Sequence, residues 1–175
     1  MISNEQSLLD PFLLPQLAQP TASDVQRLAP AALAYLGDAV YELFVRRCLL
    51  MPPKRSQVYH QQVVAQVRAE MQAQHLRSLL PYLTDTEHDI LKRGRNAATN
   101  RPKRLDPEIY QQATSLEALM GYLYLTNASR LLELLSYLEL EPNSGRDPSI
   151  ILIPFNLNSF RVFVSIELTL NDFPD

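Results

Sequence analysis

Two carboxylates stand where an amphipathic helix does not ordinarily hold one. Asp38 interrupts the apolar run Leu33-Ala34-Tyr35-Leu36-Gly37-Asp38-Ala39-Val40-Tyr41-Glu42, directly after one of the four glycines in the chain. Glu117 interrupts Thr114-Ser115-Leu116-Glu117-Ala118-Leu119-Met120-Gly121-Tyr122-Leu123-Tyr124-Leu125, with Gly121 one helical turn later. An ionised carboxylate beside helix-packing residues costs on the order of several kcal/mol unless a cation or hydrogen-bond donors meet it. Taken singly, each acid has a structural explanation. Asp38 could pair with an arginine or sit at the rim of a core, and Thr114-x-x-Glu117 has the form of a capping box that opens a helix. Taken together, they are the minimum protein contribution to a site for a hard divalent cation such as Mg²⁺, which accepts a few carboxylate oxygens and completes its shell with water. The neighbouring glycines favour that reading, because a helix-interior glycine costs about 1 kcal/mol against alanine and usually permits close approach of another backbone or a ligand. Glu42, one turn after Asp38, could join such a site but is better placed on a solvated outer face.

Other chemistries find less support. His60, His75 and His88 are the obvious rival catalysts, but their spacing fits no zinc motif and each lies in a polar helical stretch, so they are read as surface residues. With four glycines in all, a phosphate-cradling loop for nucleotide-triphosphate chemistry has little room. Between Lys92 and Arg104 the chain holds six cationic side chains and no acid. Such a patch makes a strong local positive potential even on a chain whose net charge is −3. It could be only a solvated charge run. It could equally hold phosphates. Lys92, Arg93, Arg95, Arg101, Lys103 and Arg104 are the candidate cationic contacts, with Asn96 and Asn100 as polar ones; the resemblance given below makes these the RNA-binding residues.

Something must position these groups. Pro30 suits a first helical turn, and Leu33, Leu36, Val40, Leu43 and Phe44 follow three-four spacing until Pro52-Pro53 ends the helix. From Arg55 to Leu80 the apolar positions predict one long helix or two short ones. Thr84-Asp85-Thr86-Glu87 is a capping box opening a helix that runs to about Arg95, with Gly94 and the basic stretch forming a loop. Asp106-Pro107 is a cap followed by proline at the first helical position, leading into the Glu117 helix. Leucines from Leu131 to Leu138 continue the pattern after Asn127. The fold class is therefore all-α up to about Leu140. Residues 1–27, with Pro11, Pro15 and Pro20, read as an N-terminal arm with no regular structure beyond a turn. Residues 142–175 form a tail that is β-like or disordered, with candidate strands at Ile150–Ile153 and Phe160–Ile166.

A hydrophobic fraction of 46% over 175 residues suffices for one core and argues against two enzymatic domains. The single Cys48 excludes an internal disulfide, and no Lys or Arg precedes Arg27, which removes the charged start of a secretory signal. A soluble cytoplasmic protein, with no membrane partner, is the expectation.

The segments Tyr35-Leu36-Gly37-Asp38-Ala39-Val40 and Leu116-Glu117-Ala118-Leu119-Met120-Gly121-Tyr122-Leu123-Tyr124-Leu125 resemble the signature helix and the second acidic helix of ribonuclease III domains. The basic Lys92-Arg93-Gly94-Arg95-Asn96-Ala97 and the lack of room for a double-stranded-RNA-binding domain are similar to the compact mini-ribonuclease III subgroup. The resemblance spans about residues 25 to 140. It implies a ribonuclease III catalytic-domain helical fold over residues 28–141, working as a homodimer with two centres along one RNA-binding valley. It further implies Mg²⁺ held by Asp38 and Glu117 as metal-binding and catalytic residues, double-stranded RNA as substrate, and products with 5′-phosphate and 3′-hydroxyl ends. In the subgroup the substrate is the 23S ribosomal RNA precursor, with ribosomal proteins as further partners. Larger ribonuclease III enzymes carry two more acids, at the positions of Ala34 and Thr114 here. Their absence implies weaker metal binding and leaves open a non-catalytic RNA-binding relative within a ribosomal particle. A helical module that touches DNA or protein, with both acids structural, is the reading from a different class.

Overall fold

A computed structural model describes residues 20–98 and 103–140. Over these residues the chain forms seven α-helices: α1 (Ala22–Arg27), α2 (Pro30–Leu49), α3 (Ser56–Val67), α4 (Ala69–Leu79), α5 (Asp85–Ala97), α6 (Pro107–Thr126) and α7 (Ala128–Ser136). A single 3₁₀ turn, Leu80–Tyr82, links α4 to α5. No strand occurs among the described residues. The candidate strands of the C-terminal tail lie outside them.

Helix α6 is the axis of the molecule. It buries Ala113, Thr114, Ser115, Leu116, Ala118, Leu119, Met120, Gly121 and Leu123, so its apolar surface runs nearly all round, as expected of a helix enclosed by neighbours. Helices α2, α4, α5 and α7 surround it. Asp106 caps its first turn by accepting hydrogen bonds from the Glu108 and Ile109 backbone N–H groups, and Pro107 occupies the first position. Because the helix then runs unbroken to Thr126, Thr114 lies in its interior and does not open it. Glu117 is consequently an acid in the middle of a core helix.

Helix α2 begins at Pro30 and presents Leu33, Ala34, Gly37, Val40, Tyr41, Phe44, Val45 and Leu49 to the core. Residues 55–80 form two helices rather than one. The backbone at Arg68 is extended (φ −67°, ψ 153°), which breaks the ladder and gives α4 its own direction against α6.

Two expectations are corrected. The arm is helical at its end: Thr21 accepts a hydrogen bond from the Asp24 N–H while the Asp24 carboxylate accepts one from the Thr21 N–H, a reciprocal cap with aspartate in the place usual for glutamate. Val25 of that short helix is in the core. Gly94, expected in a loop, lies inside α5. A Cβ there would stand 2.8 Å from the Ala118 Cβ and 3.0 Å from the Ser115 Cα, so the glycine lets α5 settle on α6. The first basic residues of the patch are therefore carried on the last turns of a helix.

Candidate active site at the crossing of α2 and α6

The two helices that carry the acids touch through their backbones. A Cβ built on Gly37 would collide with the carbonyl oxygen of Glu117 and lie 2.6 Å from the Gly121 nitrogen. One on Gly121 would collide with the Leu33 carbonyl oxygen. Glycines on both sides of the crossing are thus what allow α2 and α6 to approach so closely, and Asp38 and Glu117 flank that point. The crossing joins two acids 79 positions apart in sequence.

Their electrostatics follow from this. Burial first, and then the negative charge of Asp38, push the Glu117 carboxyl up to about 7 from an ordinary 4.5, with a hydrogen bond from Gln72 opposing the rise. Burial and then the Glu42 carboxylate raise Asp38, again opposed by Gln72. The groups that act on the pair are acids and an amide, which does not fit an acid neutralised by an arginine. Glu42 itself meets Arg46 at 2.6 Å on the outside of α2.

Gln72 went unremarked in the sequence. It projects from α4, is 2% exposed, and places its Nε2 3.5 Å from the Asp38 Oδ1. One turn further along both helices the hydroxyl of Tyr41 lies 2.7 Å from the Nδ1 of His75 and 3.1 Å from the Gln66 carbonyl oxygen. The other ring nitrogen of His75 is 3.2 Å from the Glu139 carbonyl oxygen. A neutral ring that donates there from Nε2 has Nδ1 left to accept, so the one phenol proton is shared between His75 and the Gln66 carbonyl oxygen. His75 is therefore a buried brace between α2 and α4, not the surface residue expected, whereas His60 is exposed and His88 half-buried. Its polar sequence surroundings misled because the phenol and the carbonyl that satisfy the ring come from elsewhere in the chain.

The donor set fits a hydrated hard cation. Two carboxylates whose charges repel at close range are relieved by a divalent ion, and the described residues offer no group of three or more His, Cys, Asp or Glu that would suit a fully dehydrated one. Ala34 and Thr114 are both buried near the pair and add no charge to it.

Of the cationic candidates, Arg95 is exposed at the end of α5, and its Nε donates to the Gln111 side chain at 3.1 Å. Asn96, Lys103 and Arg104 are exposed too. Lys92 pairs with Asp89 at 3.0 Å on the surface. Arg93 turns inward, donating to the Leu28 and Gln26 carbonyl oxygens at 3.2 and 3.4 Å, where it ties α5 to the α1–α2 junction. Asn100 and Arg101 lie outside the described residues. Because Gly94 rests on Thr114, Ser115 and Ala118, the basic end of α5 runs alongside the stretch of α6 that holds Glu117.

Residues 31–128, which contain both acids and the crossing, match the ribonuclease III domain family. The chain belongs to the ribonuclease III family. Within this family it is 58% identical over 125 residues to the mini-ribonuclease 3 of a Synechocystis species, covering 71% of this chain and 87% of that relative. The mini-ribonuclease 3 of Thermosynechococcus vestitus is 56% identical over 120 residues, 69% of this chain and 80% of the relative. The X-ray crystal structure of protein FN1578 from Fusobacterium nucleatum is similar with a TM-score of 0.61 at 26% identity, covering 66% of this chain and 96% of that one. This is thus a compact ribonuclease III-family protein whose described residues form an all-helical fold. Among the described residues no helix is long and apolar enough to cross a membrane.

Proposed function

We propose that this chain, a double-strand-specific endoribonuclease of the ribonuclease III family, acts with Mg²⁺ held by Asp38 and Glu117 and matures the paired ends of the 23S ribosomal RNA precursor. The observation that carries the reading is the convergence of the two acids at the glycine crossing of α2 and α6. Bound there, a divalent cation supplies Lewis-acid polarisation of the scissile phosphate and makes an attacking water easier to deprotonate. The chain's own residues do the rest. Asp38 and Glu117 provide the negative charge that draws the cation in, and the rigid crossing fixes their separation.

RNA contact falls to the basic end of α5 and the segment leading to α6. Arg95, Asn96, Lys103 and Arg104, all exposed, are the proposed phosphate contacts, with Lys92, Arg93, Asn100 and Arg101 completing the proposed set. Lys92 must give up a weak surface pair to do so, and Arg93 acts by holding the end of α5 in place. A homodimer is supported by α2, whose outer face carries Tyr35 at 86% and Leu43 at 53% exposure with Ala39 between them, at i, i+4 spacing. Two centres in one dimer would cut the two strands.

Incubating the full chain with duplex RNA spanning the precursor ends, with Mg²⁺, tests the proposal. Asp38→Asn and Glu117→Gln variants should each lose at least about a hundred-fold in rate, since cation-held transition-state charge is worth several kcal/mol. Undiminished cleavage by Asp38→Asn would place the site elsewhere.

A further inference from the structure

The side chain of Gln72 is satisfied on one side only. Its Nε2 faces the acids, while its Oε1 is buried with no hydrogen-bond partner among the described residues. Leaving a buried acceptor unpaired is unfavourable, because the water it gave up is not replaced. A glutamine selected only to fill space beside α6 would do better as leucine or methionine, so a second use for that oxygen is indicated.

The amide has a two-fold character that supplies one. Rotating it by half a turn about its last bond exchanges nitrogen and oxygen within nearly the same volume. With the acids ionised and no cation between them, N–H toward Asp38 is the favourable orientation. With a divalent ion bound, the preference reverses: hard cations take the carbonyl oxygens of glutamine side chains as ligands alongside carboxylates. The Tyr41–His75 bond, three residues beyond Asp38 and three beyond Gln72, pins α4 to α2 and keeps the amide at the pair in either orientation.

We propose that Gln72 is the third protein group of the cation site, donating N–H to Asp38 when the site is free and presenting its side-chain oxygen to the divalent ion when it is filled. The inference rests on the reading of Asp38 and Glu117 given above. A neutral oxygen takes up part of the work that acids at positions 34 and 114 would do, while the protein charge at the ion stays at two negatives.

Direct Mn²⁺ binding to the full-length protein, followed by the electron paramagnetic resonance of the free ion, tests this without reference to turnover. Gln72→Leu should weaken binding about ten-fold or more, the scale found when groups supporting a metal shell are removed. Its melting temperature in chelator should stay the same or rise. Gln72→Glu, which keeps the oxygen and the size, should bind at least as tightly as wild type and guards against a folding artefact. If Gln72→Leu binds Mn²⁺ like wild type while Asp38→Asn does not, Gln72 is core filling and the inference fails alone. If Asp38→Asn and Glu117→Gln also bind like wild type, the two-acid site fails with it.

Discussion

A carboxyl at position 117 that holds its proton up to about pH 7 is a source of instability in the cation-free protein at neutral pH. Below pH 4.5 both folded and unfolded chains keep the proton and the group contributes nothing. As pH rises from there the unfolded chain releases it first, so stability falls and levels off above about 7. Glu117→Gln removes this titration. In chelator it should raise stability over wild type by about 1–3 kcal/mol at pH 8, the upper end being discounted for partial exposure, and change little at pH 5. Thermal melting at the two pH values checks this; equal effects at both would mean that the acid is not strained. At this scale Asp38 and Glu117 were legible because a charge inside an apolar run has a known penalty. Gln72 was not. It is uncharged and lies in a stretch that also holds Gln57, Gln61, Gln62, Gln66 and Gln74, so nothing in residue type separates it from its neighbours. Only the turn of α4 after Arg68 brings it to the acids.

Helices are joined here by a few polar fasteners, of which Arg130 is the most connected. Its guanidinium grips both oxygens of Glu87 at 2.9 and 3.0 Å, donates to the Tyr82 carbonyl oxygen at 2.6 Å and meets Glu133 at 2.9 Å. Glu87 also accepts from the Thr84 N–H at 2.8 Å, so the start of α5, the 3₁₀ turn and the first turn of α7 meet at one point. Burial alone would raise Glu87; the hydrogen bonds and charge of Arg130, with the cap, overrule it and hold the carboxyl below its usual range. Arg130→Met strands a buried charge and should destabilise by about 3–5 kcal/mol. The double variant Glu87→Gln/Arg130→Met should regain much of that loss in urea titrations, and an additive double variant would contradict the account. The helix starts at Thr84 and Asp106 were readable because their caps are local and sequence-specific. The α1 helix was hidden by its unusual aspartate cap and by Val25, whose packing is non-local. Gly94 was misread as a breaker because its role is set by the helix opposite.

On the scale of the molecule, the outer face of α2 is where two chains are proposed to meet. Replacing Tyr35 and Leu43 by glutamate together should leave the melting temperature within a few degrees of wild type, as surface changes do. In sedimentation it should shift the protein to the monomer mass. A variant that keeps the wild-type mass would move the contact elsewhere. The all-helical architecture of the described residues was legible because its periodicities are long and regular, whereas the meeting of α2 with α6 was signalled only by the two acids and their glycines, since spacing within a helix says nothing about which helix lies across it. That meeting has a mechanical consequence. Where two backbones meet through glycines, no side chain lies between them to slide or compress at the contact. The gap between the two acids is then set by the backbone contact itself and not by the rotamers of intervening side chains.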